Sequence, residues 1–266
     1  EFRRVLFRSN PMPDNQFQVH GAISTGVKGN RIYVGYGTVS NGILQILDRK
    51  KLLEGAKEPT EANLLSAQVS IMYTSPHMGA HTTLPVLGMD VPDQSPNNKV
   101  TRRDFVALTN ESTSNECLEP RQMTYFVDIT DEKKPFTLSN YQVPEAAGGY
   151  CKRGGRFGAH SSSENQPPMY NKRVLFYAWF NAGVRAVDIR DPFNPKEIGY
   201  YIPAISDNTD KRCIPTPQGA QCKVAIQSNN ADVDDRGYIY VVDRADTGMH
   251  ILELTGSARD AAKFDK

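Results

Sequence analysis

The 266-residue chain has little of what marks most well-known classes of protein. No stretch approaches the ~20 consecutive apolar residues that a membrane-spanning helix needs, so no helical span is encoded. Lys and Arg (31) nearly balance Asp and Glu (30). That balance leaves no basic field to hold nucleic acid or an anionic membrane surface. There is no Gly-x-Ser-x-Gly elbow, phosphate loop or dinucleotide fingerprint, which removes the ordinary hydrolase and nucleotide-binding readings. The four cysteines form no Cys-x-x-Cys pair, which argues against a thiolate zinc site. Long helical patterns are scarce too: Leu52 to Gln68 is the best of them, interrupted by Pro59, and Ala258 to Phe264 suits a short terminal helix.

What the chain does have is short runs of β-branched and aromatic residues bounded by turn residues. The clearest set lies between Arg153 and Pro203. A Gly-His entry is followed by Val174 to Phe180, Gly183 to Ile189 and Lys196 to Pro203. Asn181-Ala182-Gly183 suits a tight hairpin, and Asp191-Pro192-Phe193-Asn194-Pro195 a sharp turn, because proline fixes φ and donates no ladder hydrogen bond. The same order of signals recurs. His20 precedes Arg31 to Gly37 and Gly42 to Asp48; His81 precedes Phe105 to Asn110, Met123 to Thr130 and Phe136 to Pro144. In the fourth copy Asn230 stands where the others have His, before Tyr238 to Asp243 and Gly248 to Leu254. Repetition at intervals of several tens of residues predicts an all-β fold, a β-propeller of four-stranded antiparallel blades with about four blades visible.

The residues AVDIRDPFNPKEIGYY (Ala186 to Tyr201), and more distantly VDITDEKKP (Val127 to Pro135), resemble the repeats of the LVIVD-repeat β-propellers. GILQILDRKK and HILELTG keep only the apolar spacing. The resemblance covers roughly Val19 to Gly256. It implies a propeller, secreted or on a cell surface, and says little about chemistry, since many members have no assigned activity.

Residues 1–9, EFRRVLFRS, fit neither the repeats nor a signal peptide and read as an adapter- or vector-derived segment. The blades then occupy residues 10–256 and a tail residues 257–266. A four-repeat chain that starts just before a blade entry predicts a C-terminal fragment of a larger propeller, or an open arc. The economical pairing of cysteines is Cys117 with Cys151 and Cys213 with Cys222 in a secreted, periplasmic or surface protein; the alternative is four reduced, partly buried thiols.

Because the first strand of each propeller blade lines the channel, His20, His81 and His160 are expected to converge there, with Asn230 completing the ring. Such a ring of imidazoles suits Zn, Cu or Fe, while a purely structural role for a repeated Gly-His is the competing expectation. Arg153, Arg156, Ser161 and Asn230 are candidate ligand-binding residues. Arg156 can clamp a carboxylate or phosphate, and Glu164 can act as a base or support a ligand. Two functions follow: a scaffold that binds a small molecule or protein at the channel face, or a metal-dependent oxidase or hydrolase. The triplet Asn110-Glu111-Ser112 matches a glycosylation signal of a kind that arises by chance.

Overall fold

The computed structural model describes residues 20–23, 29–38, 41–91, 102–164 and 166–262, with only the backbone of 20–23. The segment read as adapter-derived lies outside them. The described residues form an all-β fold of antiparallel sheets placed one after another along the chain.

The first sheet contains β1 (His20–Ile23), β2 (Arg31–Tyr36), β3 (Ile43–Asp48) and β4 (Gln68–Tyr73). The second contains β5 (Ala80–Asp90), β6 (Arg102–Asn110), β7 (Thr124–Asp128) and β8 (Phe136–Tyr141). The third contains β9 (Ser161–Ser162), β10 (Val174–Ala178), β11 (Val184–Asp188) and β12 (Lys196–Tyr201). A two-stranded hairpin follows, β13 (Lys211–Thr216) and β14 (Gly219–Val224), before a three-stranded sheet of β15 (Ser228–Val233), β16 (Ile239–Asp243) and β17 (Met249–Leu252). In each larger sheet the strands pair in chain order. The expected strand runs became β2, β3, β6, β7, β8, β10, β11, β12, β16 and β17.

The second strands read as continuous apolar runs because both of their faces are covered. In β10, Leu175 and Tyr177 pack with Phe105 and Phe126 of the second sheet. Val174 and Phe176 alternate with them and pack with Ile239 and Val241 of the last sheet. In β6 the same period of two sends Phe105 and Ala107 to one side and Val106 and Leu108 to the other, against Tyr33, Leu44 and Ile46. Apolar layers thus lie between consecutive sheets, each fully buried large side chain stabilising by roughly 1.5–3 kcal/mol. The first strands run side by side: β5 against β1, β9 against β5, and β15 against β9.

The repeat is also visible in the turns. Asp48, Asp128 and Asp188 each end a third strand and cap the turn with a carboxylate oxygen, accepting from the backbone N–H of Lys51, Thr130 and Arg190 at 2.9, 2.8 and 3.0 Å. Such local bonds favour leaving the strand there. The pairing with the outer strand shifts register at the same point in all three sheets, at Ile46/Leu47, Phe126/Val127 and Ala186/Val187. Gly183 closes the β10–β11 hairpin at φ 78°, and a Cβ there would meet the carbonyl oxygen of Tyr201 at 2.1 Å. Only glycine fits both conditions.

The stretch read as one interrupted helix is two short ones, α1 (Arg49–Glu54) and α2 (Glu61–Ser66), capped by the side chains of Asp48 and Thr60, with Pro59 between them. The last residue of that stretch, Gln68, instead begins β4. A third helix, α3 (Gly256–Ala262), packs against β12 and buries Ala258 and Ala262 in the apolar layer shared by the third and last sheets.

Both expected disulfides are present, Cys117–Cys151 and Cys213–Cys222. Cys213 and Cys222 face each other as paired residues of the β13–β14 hairpin, with Cα atoms 4.0 Å apart, so the bond joins two strands rather than closing an irregular loop. Two disulfides point to an oxidising compartment. No helix among the described residues is long and apolar enough to cross a membrane.

Candidate functional site

Where the first strands meet, the repeat brings unlike residues to like positions. The residue that pairs with the start of the third strand is Tyr36, Thr109, Ala178 and Val242 in the four sheets. Two residues further on stand Thr38, Glu111, Phe180 and Arg244. On the first strand, the partners of Thr109, Ala178 and Val242 are Thr82, Ser161 and Asn230. The residues just before them are His81, His160 and Asn229. His81 and Asn229 are each the extra residue at a register shift in their strand. A bulge re-aims a side chain out of the regular pleat.

His81, Glu111 and His160 come together in the interior, with one possible ligand atom from each lying within 4.8 Å of the others. The Nε2 atoms of His81 and His160 each lie 3.7 Å from a different oxygen of the Glu111 carboxylate. The two imidazole rings are 4.5 Å apart between centroids. Glu111 is 4% exposed, which would be costly for a lone carboxylate. Arg156 offsets that cost, donating from Nη1 to Oε1 at 2.9 Å, and Nη1 of Arg244 stands 3.8 Å from the same oxygen. Burial pushes the Glu111 carboxyl up from its ordinary range, against the opposing pull of Arg156 and Arg244. Arg244 is pulled down from the usual arginine value, first by burial and then by the like charge of Arg156. Phe180 backs the group, with its ring 5.1 Å from that of His160 and beneath the guanidiniums of Arg156 and Arg244 at 5.3 and 5.6 Å.

Each imidazole is oriented through its other nitrogen. Nδ1 of His160 lies 2.5 Å from the carbonyl oxygen of Asn229, which can only accept, so Nδ1 carries a proton, and in its neutral form the ring would offer the Nε2 lone pair to a metal. Nδ1 of His81 meets the Thr82 hydroxyl at 2.8 Å. This is the support that metal-ligating histidines commonly have. An ion held at about 2.1 Å from two atoms spaced as Nε2 and the carboxylate oxygen are would subtend an angle of about 125°, within reach of tetrahedral or trigonal coordination.

The structure sorts the remaining candidates. His20 pairs with Gly35, as Thr83 pairs with Leu108, so the register places it two positions beyond His81; its side chain is outside those described. Asn230 is exposed, and the site is met instead by the backbone of its neighbour Asn229. Ser161 is buried and donates to that same Asn229 carbonyl at 2.8 Å. Arg153 is exposed and lies over the ring of Tyr150, and Glu164 is exposed, so neither joins the buried group. Asn110 is fully buried and donates to the Met123 carbonyl at 2.8 Å, so it is no glycosylation acceptor in the folded chain.

Glu111, Phe180, Asn229 and Arg244 were not legible as site residues one at a time. The signal that finds three of them is positional: each stands two residues beyond the paired end of a second strand. No protein-family model matches the chain, and no curated protein matches it either.

Proposed function

We propose that the chain is a secreted β-propeller of the LVIVD-repeat kind that binds a divalent transition metal, zinc or iron(II), through His81, Glu111 and His160, and receives a small ligand there. The consecutive sheets, the apolar layers between them and the adjacent first strands support the propeller reading. The observation that carries the metal reading is the buried set of two imidazoles and one carboxylate. Two nitrogens and one oxygen suit zinc and iron(II), and three protein ligands leave a position open for water or substrate. A site of that kind supports hydrolytic or oxidative chemistry.

One observation favours a metal-free binding scaffold: Arg156 already pairs with Glu111 at 2.9 Å, so the carboxylate is compensated without an ion. Elemental analysis of the full chain after loading with zinc or iron(II) and gel filtration separates the readings. The expected result is about one ion per chain, lost on Glu111→Gln with the circular dichroism spectrum retained. A loaded chain that retains no metal overturns the metal reading and leaves the scaffold.

A further inference from the structure

Two guanidiniums meet at the buried carboxylate, and their donors are mostly unused. An arginine carries five N–H donors. Arg156 spends Nη1 on Glu111 and on the carbonyl oxygen of Ser112, at 2.9 and 3.2 Å. Among the described residues its Nε and Nη2 have no acceptor within hydrogen-bond distance. The guanidinium of Arg244 has none either, its nearest carboxylate oxygen being 3.8 Å away. Both side chains reach from solvent to the buried group, being 27% and 39% exposed against 4% for Glu111. Both guanidiniums lie over one ring, that of Phe180, which is itself fully buried.

Other charges nearby do not satisfy the pair. Arg212 faces Asp210 at 3.5 Å and donates to the Arg244 carbonyl, which holds the backbone of Arg244 in place. Glu119 is taken up by the Ser112-Thr113-Ser114 loop, where its oxygens accept from both hydroxyls and backbone N–H groups. Glu111 therefore stands as one negative charge against two positive ones. Two like charges held side by side with spare donors are an anion site, because an oxyanion relieves the repulsion and takes up the donors at once.

We propose that Arg156 and Arg244 together grip the oxyanion group, carboxylate or phosphate, of the small ligand that enters beside His81, Glu111 and His160. The inference rests on the proposed metal reading only in that a bound ion would add positive charge and bring the anion within its reach. The two arginines hold the anion without it.

The test is titration calorimetry on the full chain, with succinate and inorganic phosphate as probes, in zinc-loaded and chelator-treated protein. At least one probe is expected to bind saturably. Arg244→Gln should weaken that binding about tenfold or more, while Arg244→Lys, a point charge without the fork, restores part of it. The comparison of Arg244→Gln with the parent chain is made on the chelator-treated form, where metal content plays no part, and circular dichroism confirms its fold. Whichever probe binds tells carboxylate from phosphate. Absence of binding by both probes in both forms, or unchanged binding by Arg244→Gln, overturns the proposal. Binding that persists in a chain that never takes up metal upholds it and sinks the metal reading alone.

Discussion

Glu111 and Arg244 occupy the same position in two different sheets, two residues beyond the paired end of the second strand, and their charged ends lie 3.8 Å apart. The repeat thus delivers a carboxylate, an aromatic ring and a guanidinium to one place from three sheets. Opposite them the first strands deliver His81, His160 and the backbone of Asn229.

That register makes a prediction about which histidines matter. His81→Ala and His160→Ala should each abolish metal uptake, whereas His20→Ala should leave it unchanged, since His20 is in register with Thr83 rather than with His81. Elemental analysis of the three purified variants checks this. Metal loss in the His20 variant would show that the first sheet reaches the group after all.

The two disulfides should differ in weight. Cys117–Cys151 spans 34 residues and Cys213–Cys222 spans 9. On the chain-entropy model they contribute about 4 and about 3 kcal/mol respectively. The strand β14 that carries Cys222 is also mostly exposed. Replacing Cys213 and Cys222 by Ser should therefore lower the melting temperature less than replacing Cys117 and Cys151, as read by thermal unfolding.

Asp188 predicts a dependence on acid. Burial raises its pKa, but hydrogen bonds from the side chain and backbone of Arg190, with the charges of Arg190 and Lys196, lower it further, so the folded value lies below 3.8. Its stabilising contribution is complete above the unfolded value and is lost as pH falls through the folded one. Asp188→Asn should thus be less stable than the parent chain at neutral pH, with the gap closing below about pH 3.8. Urea unfolding across that range measures it; a gap independent of pH would refute the assignment.

Trp179 is the only tryptophan, fully buried and edge-on to Tyr141 at 5.4 Å. Trp179→Ala should cost about 3–5 kcal/mol by leaving a cavity between the second and third sheets. Trp179→Phe should cost much less, because it keeps an aromatic ring in place and, among the described residues, the indole Nε1 has no hydrogen-bond partner to lose. Denaturant unfolding followed by circular dichroism compares the two.

Composition and local pattern were enough for the all-β class and most strands, because a strand buried on both faces has to be a short apolar run and its ends have to be turn residues. The disulfide partners were legible for a similar reason, being close in sequence or flanking the last strands of one repeat. What the tertiary structure alone decided is the site. A bulge of one residue moves a side chain to the other face, so whether Asn229 or Asn230 matches His160, and whether His20 matches at all, depends on cross-strand register that no local spacing records. Glu111 and Arg244 lie 133 positions apart, and only the packing of separate sheets sets their charges on one another.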